Sequence, residues 1–327
     1  MIPAKVEISS RTIVFTIFFL IGLKFLWLVK DLIFSLFIAL ILVSALKQPV
    51  SFLEKKRIPR IFASAIVYFL FLFCIGNAFG LIFPPLITEI THLLRNLPNI
   101  IQNSPPYISS FINWDSFVQY IPNITNNIFN IIKNVFSNAL FVISTLFFGF
   151  YLLLEEDAIK KILLKFYEEK ELRPAFSIIE KVEKRLNSWF WGEVVLMATI
   201  GIMTFVGLNL IGMKYPLALA VFAGLLEVIP NIGPITSAIP AVIIGLSQSY
   251  FLGFAAIALY FIIQQLENHL IVPLVMKKAV GLNPIATLMA LIIGGKLAGV
   301  LGILLSVPIM LLLETVLVEV MKGKKGA

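Results

Sequence analysis

The sequence predicts an all-α integral membrane protein, and three observations support that prediction. Of the 327 residues, 59% are hydrophobic and only 13% are charged, and the mean hydropathy is +0.98. A soluble domain of this length is far less apolar. The apolar residues are grouped in runs whose lengths suit helices that cross a bilayer. We expect about six full spans plus about two broken, re-entrant hairpins, which is equivalent to about eight transmembrane segments.

The first two apolar runs are predicted to form a helical hairpin. Residues 12–29 and residues 32–46 are separated only by Lys30-Asp31. As one helix they would extend ~50 Å, which is more than a bilayer spans. A third span is predicted over residues 61–83, and it is expected to end at Pro84-Pro85 because a helix interior tolerates proline poorly.

Basic residues between the second and third spans set the predicted orientation. By the positive-inside rule, lysine and arginine beside a span mark the cytoplasmic side, so the N-terminus and this loop are expected in the cytoplasm. Lysines near the C-terminus place that end in the cytoplasm too. The basic residues of the loop are Lys47, Lys55, Lys56, Arg57 and Arg60.

The chain divides into regions that differ in polarity. An Asn- and Pro-rich stretch with few cations and with apolar residues at helical spacing is expected to be external and amphipathic. A stretch that mixes acids and bases is expected to be cytoplasmic, with Pro174 at the start of its second helix. The predicted regions are 1–83 (three N-terminal transmembrane helices), 84–136 (external amphipathic region), 137–154 (transmembrane helix), 155–189 (charged cytoplasmic helices) and 190–327 (C-terminal transport core with two broken-helix hairpins).

A broken helix is predicted around residues 226–234. As helices, the apolar runs on either side would rise ~21 Å or less, against a hydrocarbon core of ~30 Å. Pro230 and Pro234 lack amide protons, and Gly233 adopts backbone angles that other residues avoid, so the chain can turn there. Irregular backbone inside a membrane is shielded by protein or lines an aqueous cavity, which makes this stretch a site candidate. Two short spans joined by a surface turn are the alternative.

A second break is predicted at Gly294-Gly295-Lys296, because residues 285–320 would extend ~54 Å as one helix. The two broken segments resemble each other: Pro216 precedes Pro240 by 24 residues, and Pro284 precedes Pro308 by the same interval. Since the predicted topology opens one hairpin outside and the other inside, the segments are expected to be inverted copies, as in many secondary transporters.

Ionisable residues at predicted membrane depth are the candidate site residues, because such residues usually face a cavity or a partner. Glu227 and Asn231 are expected to line the site, with the carbonyl groups that Pro230 and Pro234 leave unpaired as further ligands. Lys296 is a candidate counter-charge of Glu227. The alternative for Glu227 is an acid near the membrane surface.

Glu267 and Asn268, at the end of the following span, are further candidates. Simple interfacial snorkelling is the alternative for that pair.

Other classes of function find no support in the sequence. No hydrolase or zinc-protease motif occurs, and Gly294-Gly295-Lys296 lacks the remaining residues of a phosphate-binding loop. The single cysteine, Cys74, provides neither a disulfide framework nor a cysteine-based metal site. We therefore expect no enzyme activity, no cofactor, no metal and no nucleic-acid partner.

The C-terminal third of the chain carries a series of motifs, which are Ile229-Pro230-Asn231-Ile232-Gly233-Pro234, Ile239-Pro240, Glu267-Asn268, Pro273, Gly281-Leu282-Asn283-Pro284, Gly294-Gly295, Gly299, Gly302 and Val307-Pro308. In these motifs the chain resembles the autoinducer-2 exporter-like family, also called PerM-type permeases. The family pattern usually has Gly-Gln where this chain has Gly192-Glu193. The resemblance spans nearly the whole chain and implies a permease of a bacterial-type inner membrane. Some members of the family are linked to autoinducer-2 export, and others to exchange of sodium or lithium for protons.

Two functional hypotheses from different classes follow. The first is a secondary transporter that exports a small polar solute or exchanges Na⁺ or Li⁺ for H⁺. The second is a passive channel or a structural membrane scaffold without coupled transport. An intramembrane enzyme lacks an identifiable nucleophile and base. The expected partners are membrane lipids, the transported solute or ions, and further copies of the chain in a homo-oligomer.

Overall fold

A computed structural model describes residues 10–102, 139–155, 158–230, 232–276 and 283–325, and within these ranges the regular secondary structure is helical throughout. The helices are α1 (Ser10–Leu28), α2 (Lys30–Lys55), α3 (Arg60–Gln102), α4 (Ala139–Leu154), α5 (Ala158–Leu163), α6 (Glu169–Leu210), α7 (Pro216–Leu226), α8 (Ile232–Gln248), α9 (Tyr250–Leu266), a π-helical segment (Glu267–Ile271), α10 (Val272–Val275) and α11 (Pro284–Lys325).

Six helices of the described ranges are long and apolar enough to cross a membrane. Three shorter apolar helices accompany them, at Leu140–Leu154, Pro216–Leu226 and Ile232–Leu246. This composition confirms the predicted fold class, an all-α membrane protein. The six long stretches are Arg11–Leu28, Lys30–Lys55, Arg60–Ala78, Glu169–Leu210, Tyr250–Val275 and Ile285–Lys322.

The first structural unit is the packing of α2, α3 and α4. Arg60 on α3 donates hydrogen bonds to the last carbonyls of α4, at Leu153 (3.3 Å) and Leu154 (3.2 Å), which lack partners within their own helix. Tyr68 OH donates to the Leu146 carbonyl at 2.7 Å. The end of α4 is therefore tied to α3 by polar contacts beneath an apolar cluster, whose buried members are Leu46, Val50, Ala63, Val67, Tyr68 and Leu153.

The second unit consists of α6, α7, α8 and α9, which pack together around the break between α7 and α8. Gly224 on α7 lies close to α6, since a Cβ there would be 2.8 Å from the Met197 carbonyl oxygen. Such small residues let helix backbones approach closely in a membrane protein. The buried members of this cluster are Ile200, Leu208, Met213, Leu219, Ala223, Ala241, Ile244, Ala256, Tyr260 and Ile263.

The third unit holds α2, α6 and the second half of α11 together. Trp191 on α6 donates its indole N–H to the Ala45 carbonyl of α2 at 3.2 Å. Arg185 on α6 pairs with Glu314 at 2.7 Å and donates to Thr315 Oγ1 at 2.8 Å. The long helix α6 therefore belongs to both the second and the third unit. The buried residues here are Ile41, Leu186, Trp189, Leu305, Val307 and Leu311.

The predicted N-terminal hairpin is wrong. Only Val29 separates α1 from α2, and hydrogen bonds one turn long continue through it, from Val29 N–H to Phe25 O (3.0 Å) and from Ile33 N–H to Val29 O (3.1 Å). No part of the candidate span Arg11–Leu28 is buried. Lys30 and Asp31 interrupt the apolar pattern, but neither supplies the backbone freedom that a reversal of the chain requires.

The predicted helix end at Pro84-Pro85 is also wrong, because α3 continues to Gln102. Proline removes one hydrogen bond of the ladder but has a φ compatible with a helix, so flanking turns can carry the helix through. The Thr88 hydroxyl donates to the Pro84 carbonyl at 2.9 Å. Most of the predicted external region, residues 103–136, lies outside the described residues.

The predicted cytoplasmic helix and the span that follows it form one helix. α6 begins at Glu169, before Pro174, and runs without interruption to Leu210. The domain boundary predicted between residues 189 and 190 therefore falls inside a continuous helix.

Candidate functional site

The turn between α7 and α8 lies within the predicted broken stretch, and backbone hydrogen bonds close it. Ile229 N–H donates to Leu226 O at 2.9 Å, Ile232 N–H to Pro230 O at 2.8 Å, and Gly233 N–H to Ile229 O at 2.9 Å. The turn is half-buried, with Glu227 and Gly233 as its buried residues, and peptide groups that are removed from water require such internal bonding.

These hydrogen bonds correct one expectation about the prolines. In a continuous helix the amides at positions 230 and 234 would donate to the carbonyls of Leu226 and Pro230, and proline cannot donate. Both carbonyls instead accept from turn amides, those of Ile229 and Ile232. Each carbonyl oxygen keeps a second lone pair, so it remains a potential ligand without being an unpaired group.

Gly233 is required by the geometry of this turn. A Cβ at this position would collide with the carbonyl group of Leu226. The obstacle is backbone, which cannot rotate away as a side chain can. The position therefore needs glycine for the close approach of two backbone segments and not for a positive φ.

Glu227 is the buried carboxyl group of the turn. It is the C-cap residue of α7, its amide donates to Ala223 O at 3.1 Å, and only 5% of its surface is exposed. Its carboxyl group lies within hydrogen-bonding distance of the Glu267 carboxyl group. One of its oxygens, Oε2, accepts no hydrogen bond from a donor group of the described residues. Buried polar atoms in native proteins are almost always paired, so this oxygen points to a ligand.

Glu267 is the second buried carboxyl group, and it lies at the start of the π-helical segment. It is 6% exposed, and Gln264 Nε2 donates to its Oε2 at 3.3 Å. π-helical turns are rare and are frequently found at functional sites. Pro273 follows closely and lacks the amide that a regular α-helix would use there, which gives a local reason for the wider turn.

Glu193 on α6 is the third carboxyl group, and the sequence analysis did not select it. It is 8% exposed, and its charge acts on both Glu267 and Glu227. The available signal was its departure from the family's Gly-Gln pattern. Beside Glu193, helix α6 packs closely against α10 and the residue that follows it, because Gly192 leaves room for Met276. A Cβ at Gly192 would be 2.7 Å from the Met276 sulfur.

Two other predicted site residues, Lys296 and Asn268, are not brought to these carboxyl groups. Lys296 is exposed, and the charges that act on Glu227 are those of Glu267 and Glu193, so the predicted pairing of Lys296 with Glu227 is not formed. Asn268 is exposed as well. Asn231 lies outside the described residues.

The site is therefore a set of three buried carboxyl groups without a basic partner. None of the ion pairs in the described ranges includes Glu193, Glu227 or Glu267. Like charges removed from water repel one another, so such an arrangement is costly while all three groups are ionised. No group of three or more His, Cys, Asp or Glu side chains among the described residues is arranged to hold a metal ion.

The second break lies a few residues after the predicted position. Within α11 the backbone leaves helical geometry at Ala298 (φ −140°, ψ 17°) and Gly299 (φ 59°, ψ −135°), rather than at Gly294-Gly295-Lys296. A positive φ favours glycine, which explains Gly299. The two arms lie against each other: the Ser306 hydroxyl donates to the carbonyls of Ala290 (2.9 Å) and Gly302 (2.6 Å).

Gly294 serves close packing of these arms instead of the turn itself. A Cβ on Gly294 would collide with the Gly302 carbonyl, and a Cβ on Gly302 would collide with the Gly294 carbonyl. Gly295 is less constrained, because its Cβ would meet only the Ile303 side chain, at 3.2 Å. Of the two glycines predicted to form one turn, Gly294 is therefore required for close packing, whereas Gly295 has room for a small side chain.

Long apolar helices, two helices broken at mid-length, and carboxyl groups buried where the first break meets α6 and α9 together define a multi-pass membrane protein of the permease type. A sequence model of the AI-2E family transporters matches residues 13–322. Because the match covers nearly the whole chain, the protein belongs to the AI-2E transporter family, as the motif resemblance predicted.

Individual relatives agree with this assignment. The chain is 28% identical over 310 residues to "Putative transport protein YueF" of Bacillus subtilis, covering 87% of this chain and 83% of the relative. It is 25% identical over 313 residues to "Putative transport protein YrrI" of the same organism, covering 90% and 89%. It is 26% identical over 332 residues to a "Putative transport protein" of Borreliella burgdorferi, covering 96% of this chain and 88% of the relative. These relatives are named for transport and not for a chemical reaction.

Proposed function

We propose that the protein is a secondary transporter that couples solute movement to an ion gradient at the carboxyl pair of Glu227 and Glu267. The observation that carries the proposal is the unpaired Oε2 of Glu227, 5% exposed and beside a second buried carboxyl group. A carboxyl pair of this kind binds either a proton or a small cation, and exchange between the two is the elementary step of an antiporter.

The surroundings of the pair suit binding of a small monovalent cation. The carbonyl oxygens of Leu226 and Pro230 lie in the same turn and each has a free lone pair. Carboxylate and carbonyl oxygens are the usual ligands of hard cations. Exchange of Na⁺ or Li⁺ for H⁺ is therefore favoured over export of a neutral solute. Asn231 remains a predicted member of the site.

Alternating access would come from the two broken segments. α7 and α8 meet at one break, and the two arms of α11 meet at the other. In the inverted-repeat hypothesis these segments are re-entrant from opposite faces of a bacterial-type inner membrane, with both termini in the cytoplasm. Rocking of one hairpin against α6 and α9 would expose Glu227 to each side in turn.

Flux measurements in proteoliposomes test this proposal against a passive channel or a scaffold. The purified protein is reconstituted with a pH-sensitive dye inside, and an outward proton gradient is imposed before Na⁺, Li⁺ or K⁺ is added. We expect saturable proton movement on addition of Na⁺ or Li⁺, with uphill accumulation of the cation. Non-saturable, strictly downhill flux would indicate a channel, and the absence of flux of cations and of small polar solutes would indicate a scaffold.

A further inference from the structure

Two buried hydroxyl groups extend the polar character of the site along the interface between α6 and α9. Thr204 on α6 has no exposed surface, and Tyr260 on α9 is 8% exposed. Neither Thr204 Oγ1 nor Tyr260 OH has a hydrogen-bond partner among the described residues. A threonine in a helix can usually donate to the carbonyl one turn earlier, so an unpaired hydroxyl here requires its own explanation.

The contacts between α6 and the α9–α10 segment fix the level of these hydroxyls along the helix axes relative to the carboxyl groups. A Cβ at Gly207 would meet the Leu259 side chain, and one at Gly192 would meet Met276, so α6 and the α9–α10 segment run antiparallel. With a rise of ~1.5 Å per residue, this register places Thr204 about one turn from the level of Glu267, toward the N-terminal end of α9. Tyr260 lies about one further turn in the same direction.

Each helix presents its polar residues on one face. On α9, Tyr260, Gln264 and Glu267 recur at the spacing of successive helical turns, and Gln264 already donates to Glu267. On α6, Glu193 and Thr204 are about three turns apart on the same face. Polar groups thus recur from the carboxyl cluster toward the N-terminal end of α9, buried at Glu193, Glu267, Thr204 and Tyr260 and half-buried at Gln264.

We propose that these polar groups line a narrow chain of water molecules, with Thr204 and Tyr260 as its hydroxyl lining, through which protons reach the carboxyl groups. The inference rests on the proposed function and adds a route to its site. A buried water is held by two to four polar partners, and these hydroxyls with Gln264 and Glu267 supply them at successive levels of the interface. A hydroxyl that accepts one hydrogen bond and donates another passes a proton along without acquiring net charge.

A dry apolar contact is the alternative, and it predicts the opposite behaviour of isosteric variants. In a dry interface, Thr204→Val and Tyr260→Phe remove polar atoms that have no partner, so the unfolding temperature should rise. In a hydrated interface the same changes remove partners of water, so the unfolding temperature should fall. Tyr68→Phe is the matched control for a lowered unfolding temperature, since the Tyr68 hydroxyl donates a hydrogen bond to Leu146 O at 2.7 Å.

Cysteine labelling tests the route without requiring transport. In a Cys74→Ala background, Thr204→Cys in liposomes is treated with a small cationic methanethiosulfonate, which reacts with hydrated thiols. Ala63→Cys, at a fully buried position in the α3–α4 cluster, is the control. We expect Thr204→Cys to react at least about tenfold faster than Ala63→Cys, because the reactive thiolate forms only where water reaches the sulfur.

The outcomes separate this inference from the proposed function. Equal, slow labelling of both cysteines together with a raised unfolding temperature of Thr204→Val and Tyr260→Phe would overturn the water path, even if coupled flux is present. Rapid labelling of Thr204→Cys in a protein without coupled flux would keep the path and overturn the transporter proposal. Rapid labelling with proton flux lowered at least about tenfold in Thr204→Val, and cation binding unchanged, is the result expected if the hydroxyls relay protons.

Discussion

The carboxyl groups of Glu227 and Glu267 lie within hydrogen-bonding distance of each other, although one belongs to the turn after α7 and the other to the π-helical segment after α9. Both are almost fully buried, and neither takes part in an ion pair with a lysine or arginine of the described residues. A contact of this kind is costly unless a proton or a cation is shared.

The third carboxyl group should strengthen cation binding. Glu193→Gln removes one negative charge near the pair while keeping the side chain's shape. At an effective dielectric constant of ~20, a unit charge several Å away contributes on the order of 1 kcal/mol or more. We expect the cation concentration for half-maximal flux to rise by roughly tenfold while the protein still folds. An unchanged half-maximal concentration, measured in proteoliposomes, would remove Glu193 from the site.

The arms of α11 should tolerate alanine at Gly295 far better than at Gly302. Gly302→Ala places a Cβ against the Gly294 carbonyl, whereas Gly295→Ala meets only the end of the Ile303 side chain. Overpacking of this type typically costs about 1–3 kcal/mol. Thermal unfolding in detergent should show a clear loss of stability for Gly302→Ala and a small change for Gly295→Ala. Equal unfolding temperatures for the two variants would contradict the observed packing of the arms.

The ion pair between Arg185 and Glu314 should couple α6 to α11. Its nitrogen and oxygen are 2.7 Å apart, and the side chains are 27% and 30% exposed. A double-mutant cycle with Arg185→Met and Glu314→Gln is expected to give a coupling energy of about 0.2–1 kcal/mol, reduced at high salt. The more exposed pair of Lys161 and Glu155, at 3.6 Å, is the control and should give no measurable coupling. Equal coupling energies in the two cycles would indicate that Arg185 does not fix α11.

The orientation of the chain is tested by labelling an exposed residue between α5 and α6. Lys165→Cys in a Cys74→Ala background should react with a membrane-impermeant thiol reagent only after the cells are opened, because the positive-inside rule places this segment in the cytoplasm. Reaction in intact cells would reverse the assigned orientation. Such a reversal would leave the carboxyl cluster in place and exchange the faces from which it is reached.

The first break could be predicted from sequence because Pro230, Gly233 and Pro234 each have a single stereochemical effect, the loss of an amide proton or the absence of a Cβ. The second break was misplaced because glycine has two uses in a membrane helix. Gly294 serves close packing of the arms, and Gly299 serves the turn with its positive φ. Sequence alone does not distinguish these uses.

The remaining errors have equally local causes. Lys30 and Asp31 interrupt an apolar run, and Pro84 removes a helical hydrogen bond, yet neither change reverses a helix whose neighbouring turns stay bonded. Glu193 was missed because its role depends on the register between α6 and the segment after α9. The packing of Gly192 against Met276 and of Gly207 against Leu259 fixes that register.

The most direct test of the account is the proton flux driven by a Na⁺ or Li⁺ gradient in liposomes that contain Glu227→Gln. This change keeps the shape of the side chain and removes its ionisable group. Glu183→Gln is the matched control. Glu183 also lies on α6, but it forms an ion pair with Lys47 at 2.9 Å and does not belong to the carboxyl cluster. We expect Glu227→Gln to lower coupled flux by a factor on the order of 10² or more while Glu183→Gln transports normally, because Glu227, unlike Glu183, belongs to the carboxyl pair that exchanges the proton. Wild-type flux and full gradient dependence in Glu227→Gln would contradict the assignment of the coupling site to the broken helix.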